Sequence, residues 1–155
     1  SMDPATPSVE SSFPDPVRQF SIFTENKVGR LSDLTKLFSS HNIHVQALTT
    51  LDTTDSAILR VVVDDPDQAR ILLETNSISY SESEILAVEI AGEHDIDNVL
   101  AALLEVEVNI HYIYSFVSRP NGRGALAASI EDMDIVTDAL GRRNLKVLSQ
   151  RDISR

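Results

Sequence analysis

An internal repeat constrains this chain more than any other feature. Asn42-Ile43-His44 recurs as Asn109-Ile110-His111, a step of 67 residues (109 − 42). The same step carries Asp65 onto Asp132, Asp67 onto Asp134, Leu73 onto Leu140 and Ile78 onto Leu145 with no gap. It also lays the polar stretch Asp52 to Ser56 on Arg119 to Arg123, which holds the turn pair Asn121-Gly122. The chain of 155 residues therefore reads as two copies of one unit. A unit of that size is only marginally stable alone, so the copies are expected to pack together.

Each unit reads as β-α-β-β-α-β. Phe20, Ile22 and Thr24 alternate with Gln19, Ser21 and Phe23, which predicts a strand over 18–25. Val28, Leu31, Leu34 and Phe38 then recur at helical spacing, predicting a helix over 29–41, with Asn42 as a left-handed stop. Residues 43–51 and 57–63 flank a polar tip and predict a hairpin. Asp64-Asp65-Pro66-Asp67 carries the acidic and proline signals of a second helix, ending near Asn76, and a strand over 78–84 closes the unit. The domain plan is a disordered tail over 1–16, which holds Pro4, Pro7, Pro14 and Pro16, then one unit over 17–84 and another over 85–155.

This order of elements gives an α+β fold, a ferredoxin-like antiparallel sheet with both helices on one face. The other face is left bare. The third strand is apolar on both sides: Ala57, Leu59, Val61 and Val63 point one way, Ile58 and Val62 the other, with Arg60 the exception. In the second copy Tyr112, Tyr114 and Phe116 sit on one side of a strand. A solvated face should be more polar, so the sheets are expected to extend edge to edge or to stack, within the chain or between chains.

Phe20-Ser21-Ile22-Phe23-Thr24-Glu25-Asn26-Lys27-Val28-Gly29-Arg30-Leu31, a following amphipathic helix, and then Asn42-Ile43-His44-Val45 resemble the opening of an ACT domain. That family consists of ferredoxin-like regulatory domains that bind small molecules. The resemblance covers 17–155 as two tandem units and implies a ligand, an amino acid or similar metabolite, at an interface between ACT units. By position it implies Thr24, Asn26, Val28, Gly29, Arg30 and Leu31 in the loop after the first strand, and His44 at the start of the second. It also implies a homodimer, or docking on a partner enzyme.

The residues themselves agree with the loop less specifically. Gly29 permits close backbone approach, free N–H groups at a helix start favour a carboxylate, and Lys27 and Arg30 add positive charge. Asn26 offers both donor and acceptor. The same residues also read as an ordinary turn and helix cap, and both readings stay open. The second unit's loop carries Glu93, Asp95 and Asp97, which would repel a carboxylate, so the first unit is expected to bind and the second to be structural.

Other classes are disfavoured. With 13 Lys and Arg against 24 Asp and Glu, the net charge is −11, which opposes nucleic acid and anionic membranes as partners. No Cys is present, no apolar run approaches the roughly 20 residues of a membrane span, and a cytoplasmic location is expected. His41, His44 and His111 lack the clustering of a metal site, and the acidic runs at Asp64 and Glu131 lack calcium-loop spacing. No Gly-x-Ser-x-Gly elbow or acid-base pair appears, so neither enzyme nor cofactor is expected. The functions left are a non-catalytic regulatory module that binds an amino acid, or a ligand-free regulatory subunit docking on a biosynthetic enzyme.

Overall fold

The computed structural model describes residues 13–154, so residues 1–12 of the expected tail lie outside the described residues. The end of the proline-rich stretch is tied to the C-terminus. The Asp15 carbonyl accepts from the Gln150 N–H at 2.8 Å, its carboxylate accepts from the Arg151 N–H at 2.8 Å, and Pro16 bridges to Ser149.

The first unit comprises β1 (Val17–Glu25), α1 (Val28–Ser40), β2 (Val45–Asp52), β3 (Ser56–Val63) and α2 (Pro66–Thr75). A long strand, β4 (Tyr80–Ile90), leads into α3 (Glu93–Glu105), β5 (Ile110–Ser115), β6 (Gly124–Ile130), α4 (Met133–Arg142) and the short α5 (Gln150–Ile153). The helix starts follow local chemistry. Asp65 and Asp132 each cap their helix, accepting from the N–H groups of Gln68 and Ile135 at 3.1 and 3.2 Å. Asn42 takes the left-handed conformation that stops α1, at φ 60°.

All six strands form one antiparallel sheet in the order β2-β3-β1-β4-β6-β5. β4 belongs to both units: Tyr80 to Ile85 pair with β1, and Leu86 to Ile90 pair with β6. The boundary expected between 84 and 85 thus falls inside a single strand. The last strand of the second unit is reduced to a short stretch after α4. Glu89 N–H donates to the Lys146 carbonyl and Leu148 N–H to the Ala87 carbonyl, both at 2.8 Å.

The register of the repeat differs from the gapless 67-residue step. β2 is bulged between Val45 and Ala47, opposite Val63 and Val62, and β5 between Ile110 and Tyr112, opposite Ile130 and Ser129. Val63 and Ile130 are 67 apart (130 − 63), but Val45 and Ile110 are only 65 apart (110 − 45). α1 and α3 also start 65 apart (93 − 28). The two extra residues lie in the second hairpin, where Pro120–Gly122 make one turn of 3-10 helix. His44 therefore corresponds to Asn109, not His111. The two do the same job: His44 Nδ1 lies 2.9 Å from Asp64 Oδ2, and Asn109 Nδ2 donates to Glu131 Oε2 at 2.8 Å.

The helices cover one face of the sheet. α1 and α2 bury Phe20, Ile22, Leu59 and Val61, while α3 and α4 bury Leu86, Val88, Leu126 and Ala128. The bare faces cover each other: Val17, Val62, Ile85, Ala87, Phe116, Ala125, Ala127 and Leu148 form a third core shared by both units. Small alanines let the two halves of the sheet approach closely. The ends of β2 and β5 meet through an Ala47–Phe116 bridge and a Val117 N–H to Gln46 carbonyl bond of 2.8 Å, so the sheet curls back on itself.

Polar groups in this interior are satisfied. Tyr114 Oη donates to Gln19 Oε1 at 2.5 Å, and Gln19 Nε2 donates to Tyr112 Oη at 2.6 Å. The Arg60 guanidinium, the polar exception of the third strand, lies 3.8 Å from the centre of the Tyr112 ring. Burial pushes the Tyr114 hydroxyl above its ordinary pKa, so it stays a neutral donor. The aromatic residues an RNA-binding sheet would have to expose are packed here instead. Among the described residues, no helix is long and apolar enough to cross a membrane.

Candidate functional site

Two residues, Asn26 and Lys27, join β1 to α1. Asn26 does not cap the helix. Its N–H donates to the Asp55 carbonyl at 3.2 Å and its Nδ2 to the Thr53 carbonyl at 2.9 Å, which pins the β2–β3 hairpin tip against the loop. Lys27 occupies the cap position, supplies no side-chain cap, and is followed by no acid in the first turn. The helix start thus keeps its partial positive charge uncompensated. A Cβ on Gly29 would meet nothing within 4 Å, and Val28 is 87% exposed, so the outer side of the loop faces open space.

Beside the loop lies a cleft of about 790 Å³. Phe23, Thr24 and Glu25 of β1 and Arg30, Asp33, Leu34 and Leu37 of α1 form two of its walls. Asp55 and Ser56 of the hairpin and residues 76–79 between α2 and β4 complete it. Leu34 is buried, and Leu37 and Ile78 pack on the same core, so one side is apolar and the rim is polar. Glu25 lies 3.3 Å from Lys27 Nζ and 3.8 Å from Arg30 Nε. Neither Asp33 nor Asp55 makes an ion pair among the described residues.

Of the residues singled out from sequence, Thr24 and Arg30 line this cleft, Asn26 lies in the loop beside it, and Val28 and Gly29 open α1. Leu31 is turned toward the first unit's core. His44 is not brought to them. β1 and β2 both run antiparallel to β3, so the loop lies by Ser56 at the start of β3 and His44 by Asp64 at its end. Eight extended residues separate these ends, roughly 25 Å at 3.3 Å each. His44 sits instead in a second cleft with Gln46, Val117 and Ser118, at the junction of the units. The buried Asp64 carboxylate fixes it by accepting from its backbone N–H at 2.7 Å and contacting its ring.

The cleft also takes in Asp33, Asp55, Asn76 and Ser77, which the sequence pattern alone does not mark. Asp33 stands one helical turn beyond Arg30, a spacing that places both on one face of α1 and was the available signal. Asp55 and the 76–79 stretch come from distant parts of the chain, and only the folded sheet assembles them.

The second unit's loop is closed from within. Asp95, third residue of α3 as Arg30 is of α1, accepts from the Ala91 N–H at 2.7 Å, so a carboxylate of the chain itself occupies that loop. Among the described residues, no group of three or more His, Asp or Glu side chains is placed to hold a metal ion.

Comparison with known proteins agrees with this geometry. The family described as ACT domain pair matches residues 16–155. Among solved structures, protein BT0572 from Bacteroides thetaiotaomicron is 29% identical, over 90% of this chain and 96% of that one, with a TM-score of 0.80. The regulatory subunit of aspartate kinase from Thermus thermophilus, in its ligand-free form, is 16% identical over 88% and 97%, with a TM-score of 0.61, a likeness of fold. No curated protein matches. The chain belongs to the ACT domain pair family.

Proposed function

We propose that this chain binds an amino acid or similar small metabolite through the first unit and passes that binding on as a change of association. The observation that carries this reading is the contrast between the two loops: neither helix has a side-chain cap, but α1 has no acid in its first turn and starts beside an open cleft, whereas α3 carries Glu93 and Asp95 there and Asp95 accepts from the Ala91 N–H of its own loop. The α1 start and Arg30 would receive an α-carboxylate. The cleft would take the side chain.

The exposed outer side of Val28 and Gly29 leaves room for a second wall. His44 of the same chain lies too far away to supply it, so a second copy is the proposed source, and the active form is a homodimer. Ligand shared across such an interface would stabilise the dimer by mass action and shift the population only through preference for one arrangement. The likeness of fold to an aspartate kinase regulatory subunit also supports a second reading, in which the module docks on a biosynthetic enzyme without ligand.

Thermal melting of the full chain with each of the twenty amino acids at millimolar concentration separates the two. Ligand at 100 times its dissociation constant stabilises by about 2.7 kcal/mol. The expected result is a selective rise in Tm that Gly29→Asp abolishes. The added Cβ meets no clash in the chain, so the variant should fold. A flat panel, or a rise unchanged in the variant, would remove the ligand-binding reading and leave the docking one.

A further inference from the structure

Within this reading, we propose that the ligand is a basic amino acid whose side chain ends in a guanidinium, as in L-arginine, seated in the first unit's cleft against Asp33 and Asp55. α1 and α3 are each 13 residues long and start 65 apart, which sets Asp33 on Asn98. α2 and α4 are capped at their C-termini by Asn76 and Arg143, 67 apart (143 − 76). In the second unit, Arg143 reaches from the end of α4 to α3, donating through Nη1 to Asn98 Oδ1 at 3.1 Å and through Nη2 to Glu105 Oε2 at 3.2 Å. A guanidinium therefore spans the place between the two helices that corresponds to the space between Asn76 and Asp33.

In the first unit that guanidinium is absent and its acceptor is stronger. The short Asn76 side chain turns back on its own helix, Nδ2 donating to the Leu72 carbonyl at 2.8 Å. Asp33 lines the open cleft as a full carboxylate where the second unit has an amide. Asp55 adds another carboxylate from the hairpin tip, while Glu25 already faces Lys27 and Arg30. The cleft thus pairs one cation, suited to an α-carboxylate, with two carboxylates free of ion pairs among the described residues. A guanidinium matches such acceptors with its planar fork of donors. Leu34 and Leu37 offer apolar surface to the methylene stem.

Titration calorimetry on the full chain would use L-arginine, L-citrulline, which replaces the guanidinium by a neutral urea, and L-lysine. Arginine is expected to bind, with citrulline and Asp33→Asn each weakening the affinity at least about tenfold, as loss of a charged hydrogen bond does. Asn76→Arg, which transplants the second unit's own residue, is expected to fill the cleft and abolish arginine binding while leaving the melting of the unliganded chain intact. Citrulline or lysine binding as tightly as arginine would overturn the guanidinium assignment. So would arginine binding that neither variant alters. Binding of neutral amino acids alone would overturn this inference and leave the functional reading standing, whereas no binding by any amino acid would overturn both.

Discussion

The two units share a skeleton and differ where a ligand would approach. Both begin their second helix with an aspartate cap, both bulge the second strand at its first residue, and both tie that bulge to the residue after the third strand. These features serve folding and recur. At the third residue of the first helix, one unit has Arg30 and the other Asp95; at the end of the second helix, one has Asn76 and the other Arg143. The second unit satisfies its loop and helix gap with its own carboxylate and guanidinium. In the first, the corresponding N–H, that of Asn26, goes to the Asp55 carbonyl of the hairpin tip, no acid stands in the first turn of the helix, and the gap between the helices is left open. Repeated positions that hold the backbone are thereby separated from positions that determine whether a unit is occupied by itself or by something else.

The largest effects test whether the units fold separately. Phe20→Ala removes a fully buried ring from the first core and Leu103→Ala a buried side chain from the second. Losses of about 3–5 and 2–5 kcal/mol are expected from urea melts. Because β4 and the shared core join the units, each variant should still melt in one transition; two transitions in either would show the units to be independent.

A smaller effect distinguishes how each unit anchors its second helix. In the first, Glu82 on β4 accepts from Arg70 of α2 at 2.7 and 2.8 Å and from Arg18 of β1 at 2.9 Å. Hydrogen bonds from Arg70, joined by those from Arg18 and opposed by burial, hold its carboxyl below the ordinary range. The lowered folded value means that the stabilisation is complete above the unfolded carboxyl's pKa, about 4.3, and is lost as pH falls through the folded one. Glu82→Gln should therefore cost about 1–3 kcal/mol at pH 7, with the gap to the parent narrowing below about pH 4. A gap constant down to pH 2 would contradict the assignment.

The helix caps offer a test of equivalence. Asp65→Ala and Asp132→Ala should each cost about 1 kcal/mol, equal within error, in chemical denaturation. A clear inequality would mean that the repeat-related caps are not interchangeable. The smallest effect belongs to the loops: Asp95→Asn, which weakens the contact closing the second loop, should cost about 0.5–1 kcal/mol. Gly29→Ala, which meets no neighbour, should be neutral or stabilise slightly.

The element order, the helix caps, the Asn42 stop and the apolar third strand were legible because each rests on local chemistry or on a period of two or 3.6 residues. Reading the repeat as gapless was not secure. A bulge and a longer hairpin displace residues without changing their type, so the tripeptides at 42 and 109 aligned while the backbone did not. In the same way, the loop after β1 could be located, and Thr24 and Arg30 with it, but the distance from that loop to His44 could not. Strand direction within a sheet sets that distance, and it is a property of pairing rather than of sequence order.

Residue order alone makes the chain a tandem pair of βαββαβ units, with helices on one face and an apolar surface left on the other. Local propensity and hydrophobic periodicity are enough for that. Long-range packing adds that the two bare faces cover each other, that one strand serves both units, and that the second unit closes itself while the first leaves a cleft. Those outcomes depend on side chains far apart in the chain meeting at a few ångströms, where the presence of a carboxylate or a guanidinium decides which space is filled.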